Sequence, residues 1–334
     1  MKRVLYIDGP FGISGDMLVA ALLDMGADYE KLTKVLHSLE VKGFQTKVSR
    51  VKKSGLDMCD FLVELDEVHE NHDHDMAYLH GHEHHEHEHH HDHDHEHHHD
   101  HAHHHEHEHS HHHHHHEHRG MGEIRHIIHH SAMSEEAQKL ALKIFQVLAQ
   151  AEAKAHGTDV EQVHFHEVGA VDSIVDIVSI AVCMESLAID DVVVGTLVDG
   201  HGTIRCQHGI MAVPVPAVTH IVADNGLKFR LSHVEGELVT PTGAAAAAAL
   251  RTVDKLPASY RVAGVGMGAG KREYEVPTFL RLLLLEAETE LSEDEILKIE
   301  TNIDDSNGET LGLVQELLLS AGALDVFFTS IYMK

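Results

Sequence analysis

The sequence predicts a mixed α/β (α+β) protein interrupted by one low-complexity insert, and three observations carry that prediction. Short apolar or alternating runs of strand length recur between longer stretches with helical periodicity. Residues 67–118 hold 29 of the 40 histidines and 14 acidic residues, but six apolar ones. Near the C-terminus, a strand–helix–strand pattern matches one half of a ferredoxin-like fold. The expected organisation is a β-α-β-β part over 1–66, the insert over 67–121, the remainder of an N-terminal α/β domain over 122–290, and an incomplete ferredoxin-like module over 291–334.

Val4–Ile7 is a buried strand by its apolar run, followed by the loop Gly9-Pro-Phe-Gly-Ile-Ser-Gly-Asp16 and a helical pattern over Met17–Met25 that ends at Gly26. Phe44–Val51 and Cys59–Leu65 alternate around Lys53-Ser-Gly-Leu, which predicts a hairpin. The insert has too little apolar surface to offset the entropy of ordering it. Glu135–His156 predicts a long amphipathic helix, capped by Ser134 and stopped by Gly157. A loop or short strand over Val163–Val171 precedes a helix to about Leu187, with Asp172 or Ser173 as its cap, and Val192–Val194 is a strand. Residues 195–243 are rich in Gly, Pro and Thr, and Thr240-Pro-Thr-Gly243 opens a helix over Ala244–Leu250. A glycine string, Gly264 to Gly270, precedes a strand at Phe279–Leu285. The last unit reads as strand Ile296–Ile303, loop Asp304–Gly308, helix Glu309–Ser320 and strand Ala323–Thr329.

With 25 Lys+Arg against 55 Asp+Glu, the formal charge is −30 with His neutral. About a quarter of the histidines are protonated at pH 7, which moves the effective charge towards roughly −20. Nucleic acid and anionic membrane need a basic face, so neither is expected as a partner. Cations suit this balance. Cys59, Cys183 and Cys206 stand far apart with no C-x-x-C pair, which indicates neither a disulfide framework nor a zinc ribbon. The chain opens on a strand-like MKRVLYID without a secretory h-region, and no apolar run reaches membrane-spanning length. A soluble, cytoplasmic protein is expected.

The insert interleaves imidazoles with carboxylates, a composition with affinity for nickel, zinc or copper, suited to metal storage or buffering. A solvated linker that binds metal incidentally is the bland alternative. A smaller cluster, His164-Phe-His166-Glu167 followed by Asp172 and Asp176, has the spacing of an ordered divalent site. H-x-H in extended chain puts both imidazoles on one face, and the aspartates stand at i, i+4 on a helix. Ordinary capping by one His and Asp172 is the competing reading. Ser14 and Asp16 flank the first glycine loop, and Thr240, Thr242 and Gly243 open a helix, so each start has the free N–H groups of an anion site. A tight turn or plain capping motif accounts for either equally. Cys206-Gln-His208 is a thiol and an imidazole two apart. Asn302, Asp304, Asp305 and Glu309 fit Mg²⁺ or Mn²⁺, or simply cap the last helix.

Several longer motifs resemble one family. GISGDM at 12–17, HFHEVGAVDSIVDIV at 164–178, HG-x₃-VPVPA at 208–217, VEGELVTPTGAA at 234–245, ETNIDD at 300–305 and AGALDVFFT at 321–329 are together similar to the LarC family, the nickel-insertion proteins of nickel-pincer cofactor synthesis. The resemblance implies insertion of Ni²⁺ into a pyridinium mononucleotide bearing two thiocarboxylates, coupled to CTP cleavage with Mn²⁺ or Mg²⁺, to form the cofactor of lactate racemase-type enzymes. A non-catalytic nickel or zinc storage protein or metallochaperone is the rival reading, and a metal-dependent hydrolase is a third. On the nickel-insertion reading, Asp16 and Asp172 are expected as catalytic groups. Gly12, Ser14, Gly15, Thr240, Thr242 and Gly243 are expected at the substrate phosphate, and His164, His166, Glu167, Asp176 and His208 at the metal. Two features depart from relatives: the first loop reads Asp-Gly-Pro-Phe before Gly12 where relatives carry Phe-Ser, and relatives continue beyond Lys334. The C-terminal module, supplied separately or as a frameshifted product, is therefore an expected partner, and a homo-oligomer is expected.

Overall fold

A computed structural model describes residues 1–66, 119–165, 171–206, 209–287 and 296–332. The tract 67–118 and the residues His166, Glu167 and His208 lie outside that set, so the expectations placed on them do too. The described residues form two compact units, Met1–Thr289 and Glu290–Lys334.

The first unit runs β1 (Lys2–Asp8), α1 (Gly15–Asp24), α2 (Tyr29–His37), β2 (Phe44–Lys53), β3 (Leu56–Leu65), β4 (Arg119–Gly120), α3 (Met121–His129), α4 (Glu135–His156), β5 (His164–Phe165) and α5 (Val171–Leu187). It continues with β6 (Asp191–Val194), β7 (Leu197–His201), β8 (Thr203–Cys206), β9 (Gly209–Ala212), α6 (Pro216–Asn225), β10 (Phe229–Glu235), α7 (Pro241–Leu250), β11 (Tyr260–Ala269) and β12 (Phe279–Ala287).

A mixed six-stranded sheet, ordered β2-β3-β11-β12-β1-β6, is the frame. β1 pairs antiparallel with β12 and parallel with β6, and the β2–β3 hairpin turns at Ser54 and Gly55, both at positive φ. The glycine string expected ahead of a strand is instead part of one. β11 includes Gly264, Gly266 and Gly268, and the reason is α1, which lies against it. A Cβ on Gly266 would stand 2.1 Å from the Ala21 carbonyl oxygen, and one on Gly268 would stand 1.9 Å from that of Met17. Glycine at alternate positions clears one face of the strand, because side chains alternate sides. The helix backbone therefore sits directly on the sheet.

Behind α1 lies a helical layer centred on α4 and α5. Ser134 caps α4 by accepting the Ala137 N–H at 3.2 Å, and Gly157 closes it in the left-handed conformation, as its sequence predicts. α5 is buried along most of its length, with Ile174, Val175, Ile177 and Val178 all at 0% exposure, so it is a core helix. The alanine run of α7 is buried against α4 and lets the two helices approach closely. The sequence reading omitted α2, although Asp28 caps it and Leu32, Val35 and Leu36 bury one side. Arg119 and Gly120 pair antiparallel with Phe165 and His164, which joins the C-terminal stem of the insert to the start of the H-x-H motif.

In the second unit, Asn307 caps α8 (Gly308–Ser320), accepting the Thr310 N–H at 2.9 Å. Neither Asp304 nor Asp305 is the cap. The flanking segments expected as strands, 296–303 and 323–329, form no ladder here. Two parallel strands alone would leave both edges unpaired, and parallel pairing is stable chiefly inside larger covered sheets.

The seating of α1 yields a direct prediction. Gly268→Ala forces a methyl into the Met17 carbonyl and lowers stability by about 1–3 kcal/mol or more. Urea unfolding of the two proteins measures it, and an unchanged midpoint contradicts this packing.

Candidate active site

A cavity of about 490 Å³ opens where three helices begin. Its wall includes Ser14 to Met17 at the start of α1, Asp172, Ser173 and Asp176 on α5, and Thr240 to Thr242 at the start of α7. The size lies within the range that encloses small ligands. Each helix N-terminus carries partial positive charge, so three of them around one space favour negative charge within it.

The glycines bring these helix starts together. A Cβ on Gly12 would meet the Leu238 carbonyl oxygen at 2.1 Å, and one on Gly243 would meet that of Ile13 at 2.4 Å. The Ile13 N–H donates to the Leu238 carbonyl, and the Thr240 N–H donates back to Ile13. Gly12 and Gly243 thus form the seam between the two loops and do not line the cavity. Asp199, fully buried, pins the far side: one carboxylate oxygen accepts the N–H groups of Gly200, Leu238 and Val239 at 2.8–3.0 Å.

The carboxylates are gathered at the α1 end. A Cβ on Gly15 would sit 2.4 Å from Asp176 Oδ2, so glycine there admits the aspartate to the helix start. The Asp176 carboxylate accepts the Asp16 backbone N–H, while its Oδ1 is buried without a hydrogen-bond partner. Ser14 Oγ donates to Asp16 Oδ1. Both carboxyls hold their protons more tightly than ordinary carboxylates, chiefly because of burial. For Asp176 the charges of Asp16 and Asp172 add to it, whereas for Asp16 the Ser14 hydroxyl opposes it.

The cations of the cavity were missed by the sequence reading. Lys271 and Arg272 follow β11, Lys271 reaches Asp60, and Arg272 stands 3.5 Å from Glu237. Burial works against the Arg272 charge, but Glu237 and the Tyr274 hydroxyl more than offset it. A Lys-Arg pair directly after a glycine-rich strand, in so acidic a chain, was the legible signal.

Of the residues expected from sequence, the cavity therefore brings together Ser14, Gly15, Asp16, Asp172, Asp176, Thr240 and Thr242. Thr240 Oγ1 caps α7 by accepting the Gly243 N–H at 3.1 Å. Of His164 only the backbone is described, and among the described residues no three His, Cys, Asp or Glu side chains group closely enough to hold a metal ion.

The proton on Asp176 gives a pH signature. The folded chain keeps it where the unfolded chain, with a carboxyl pKa near 3.8, has released it, so its cost to stability grows as pH rises from about 4 towards the raised folded value. Asp176→Asn removes that cost. Its urea midpoint relative to the parent chain should rise with pH and then level off; an advantage that shrinks with pH contradicts the burial of this carboxyl.

Comparison with known proteins places the chain. It matches the family described as Nickel insertion protein over residues 5–334. The pyridinium-3,5-bisthiocarboxylic acid mononucleotide nickel insertion protein of Alkaliphilus metalliredigens is 45% identical over 349 residues, covering all of this chain and 76% of that protein. The proteins of the same name from Acetivibrio thermocellus and Akkermansia muciniphila are 37% and 39% identical, each over 99% of this chain and 72% of their own length. No solved structure matches. No described helix is long and apolar enough to cross a membrane. The chain belongs to the nickel insertion protein family.

Proposed function

We propose that the protein is a nickel chelatase that inserts Ni²⁺ into pyridinium-3,5-bisthiocarboxylic acid mononucleotide, forming a sulfur–carbon–sulfur pincer in the cavity at the start of α1. The observation that carries this reading is the cavity's mixed charge. Such a substrate brings a phosphate, two thiocarboxylates and a divalent cation, and so needs both signs of charge around it. The wall supplies Asp16, Asp172 and Asp176 alongside Lys271, Arg272 and three helix N-termini.

Forming the carbon–nickel bond breaks a ring C–H bond, and the proton must go to a base. Asp16 and Asp172 are the candidates. Burial raises the proton affinity of Asp16, which makes it a stronger base than an exposed carboxylate. Asp176 holds the start of α1 through the Asp16 N–H, and its unpartnered Oδ1 gives it a further role at the metal. His164, His166 and Glu167, which precede α5, and His208 are the proposed nickel ligands. The pairing of Gly120 with His164 anchors the stem of the His-rich insert beside this motif, which suits an insert that stores nickel for the site.

CTP coupling, a lyase-type assignment and the supply of cofactor to lactate racemase-type enzymes rest on the family resemblance, as do the C-terminal module as partner, a homo-oligomer and a cytoplasmic location. Mn²⁺ or Mg²⁺ with CTP rests on the same resemblance, and among the described residues no three His, Cys, Asp or Glu side chains group closely enough to hold an ion.

The test is a nickel-insertion assay on the chain with the thiocarboxylated mononucleotide, Ni²⁺, Mn²⁺ and CTP, reading cofactor absorbance and activation of apo lactate racemase. Cofactor formation is expected. Asp16→Asn should slow it by about 10²-fold or more while nickel still binds the insert. Deleting residues 69–118 should reduce yield only at low nickel, whereas a storage protein would lose its whole function with them.

A further inference from the structure

We infer that Lys271 and Arg272 form the grip for the phosphate monoester of the mononucleotide, an inference that rests on the substrate class proposed above. A phosphate monoester carries about −1.5 to −2 charges at pH 7. The acids Asp16, Asp172 and Asp176 line the α1 side of the cavity, which disfavours a phosphate there. Two of the hydroxyls at the helix starts are engaged locally: Ser14 Oγ donates to Asp16, and Thr240 Oγ1 accepts the Gly243 N–H. The side-chain cations that line the cavity are Lys271 and Arg272.

The loop that carries them is built to hold its shape. The Gly270 N–H donates to the Thr278 carbonyl at 2.9 Å, closing the loop at its base. The Arg272 carbonyl accepts from Thr278 Oγ1 at 2.9 Å and from Lys53 Nζ at 3.3 Å. The Tyr274 hydroxyl donates to the Glu237 carbonyl at 3.0 Å and meets the Arg272 guanidinium. A preorganised cation loses little freedom on binding. At 3.5 Å, the Arg272–Glu237 contact is longer than the 2.7–2.9 Å of a charge-assisted hydrogen bond. Glu237 balances the charge of the guanidinium, and a phosphate would meet it through its planar fork. Lys271 adds a point charge from the adjacent position. In a chain with 55 acidic and 25 basic residues, two neighbouring cations on one pinned loop mark where the anionic end of a ligand goes.

Titration calorimetry on the full, nickel-free chain tests this with three probes: pyridinium-3,5-dicarboxylic acid mononucleotide, its dephosphorylated nucleoside, and inorganic phosphate. The parent chain should bind the nucleotide at least about tenfold more tightly than the nucleoside. Lys271→Met and Arg272→Met should each weaken the nucleotide by about tenfold and leave the nucleoside unchanged, with Arg272→Lys recovering part of the loss. Equal binding of nucleotide and nucleoside by the parent chain, or equal weakening of both by the variants, overturns the grip. The comparison on the parent chain needs no variant, and Lys271, more exposed than Arg272, serves if the arginine variant does not fold. If neither pyridinium probe binds, the substrate reading fails by itself. Inorganic phosphate then decides: binding that the variants lose supports the grip, and no binding overturns it.

Discussion

Everything in the cavity depends on how closely α1 lies against its neighbours. Gly266 and Gly268 let its backbone rest on β11, and Gly12 and Gly243 let its leading loop press against the start of α7. With side chains at those points, the helix would have to stand about 1 Å or more further from the strand. Asp16 would then move away from Asp176, Thr240 and the Lys271 loop. The glycine-rich segments of this chain are thus first of all packing devices. Their chemistry follows from what the packing brings together.

The same seating explains the electrostatics. Pressing three helix starts into one space creates positive potential, and Asp176 enters it by capping α1 from another helix. Burying Asp16 and Asp176 side by side raises the proton affinity of both. A cavity with acids and cations under helix N-termini fits a ligand that is both an anion and a metal chelator.

Much of the fold was legible. The β2–β3 hairpin, α4 with its Ser134 and Gly157 caps, and the Thr240 start of α7 follow from local rules that act within a few residues. The glycine string was misjudged because its cause is a helix more than two hundred residues earlier in the chain. Among site residues, the acids were visible because Asp172 and Asp176 share a helical spacing. Lys271 and Arg272 carried only the signal of two adjacent cations in an acidic chain, and Tyr274 none, since strand pairing of β11 with β12, and not sequence proximity, delivers them. The strands flanking α8 failed to form because a strand pattern specifies a surface, and pairing needs neighbours.

The most direct test is a crystal structure of the chain with Ni²⁺ and the mononucleotide, with diffraction recorded at the nickel absorption edge. The account predicts an anomalous peak in the cavity beside Asp16, Asp172 and Asp176, with the nucleotide seated in the same space. Nickel confined to the His-rich insert, with the nucleotide elsewhere on the molecule, would contradict it.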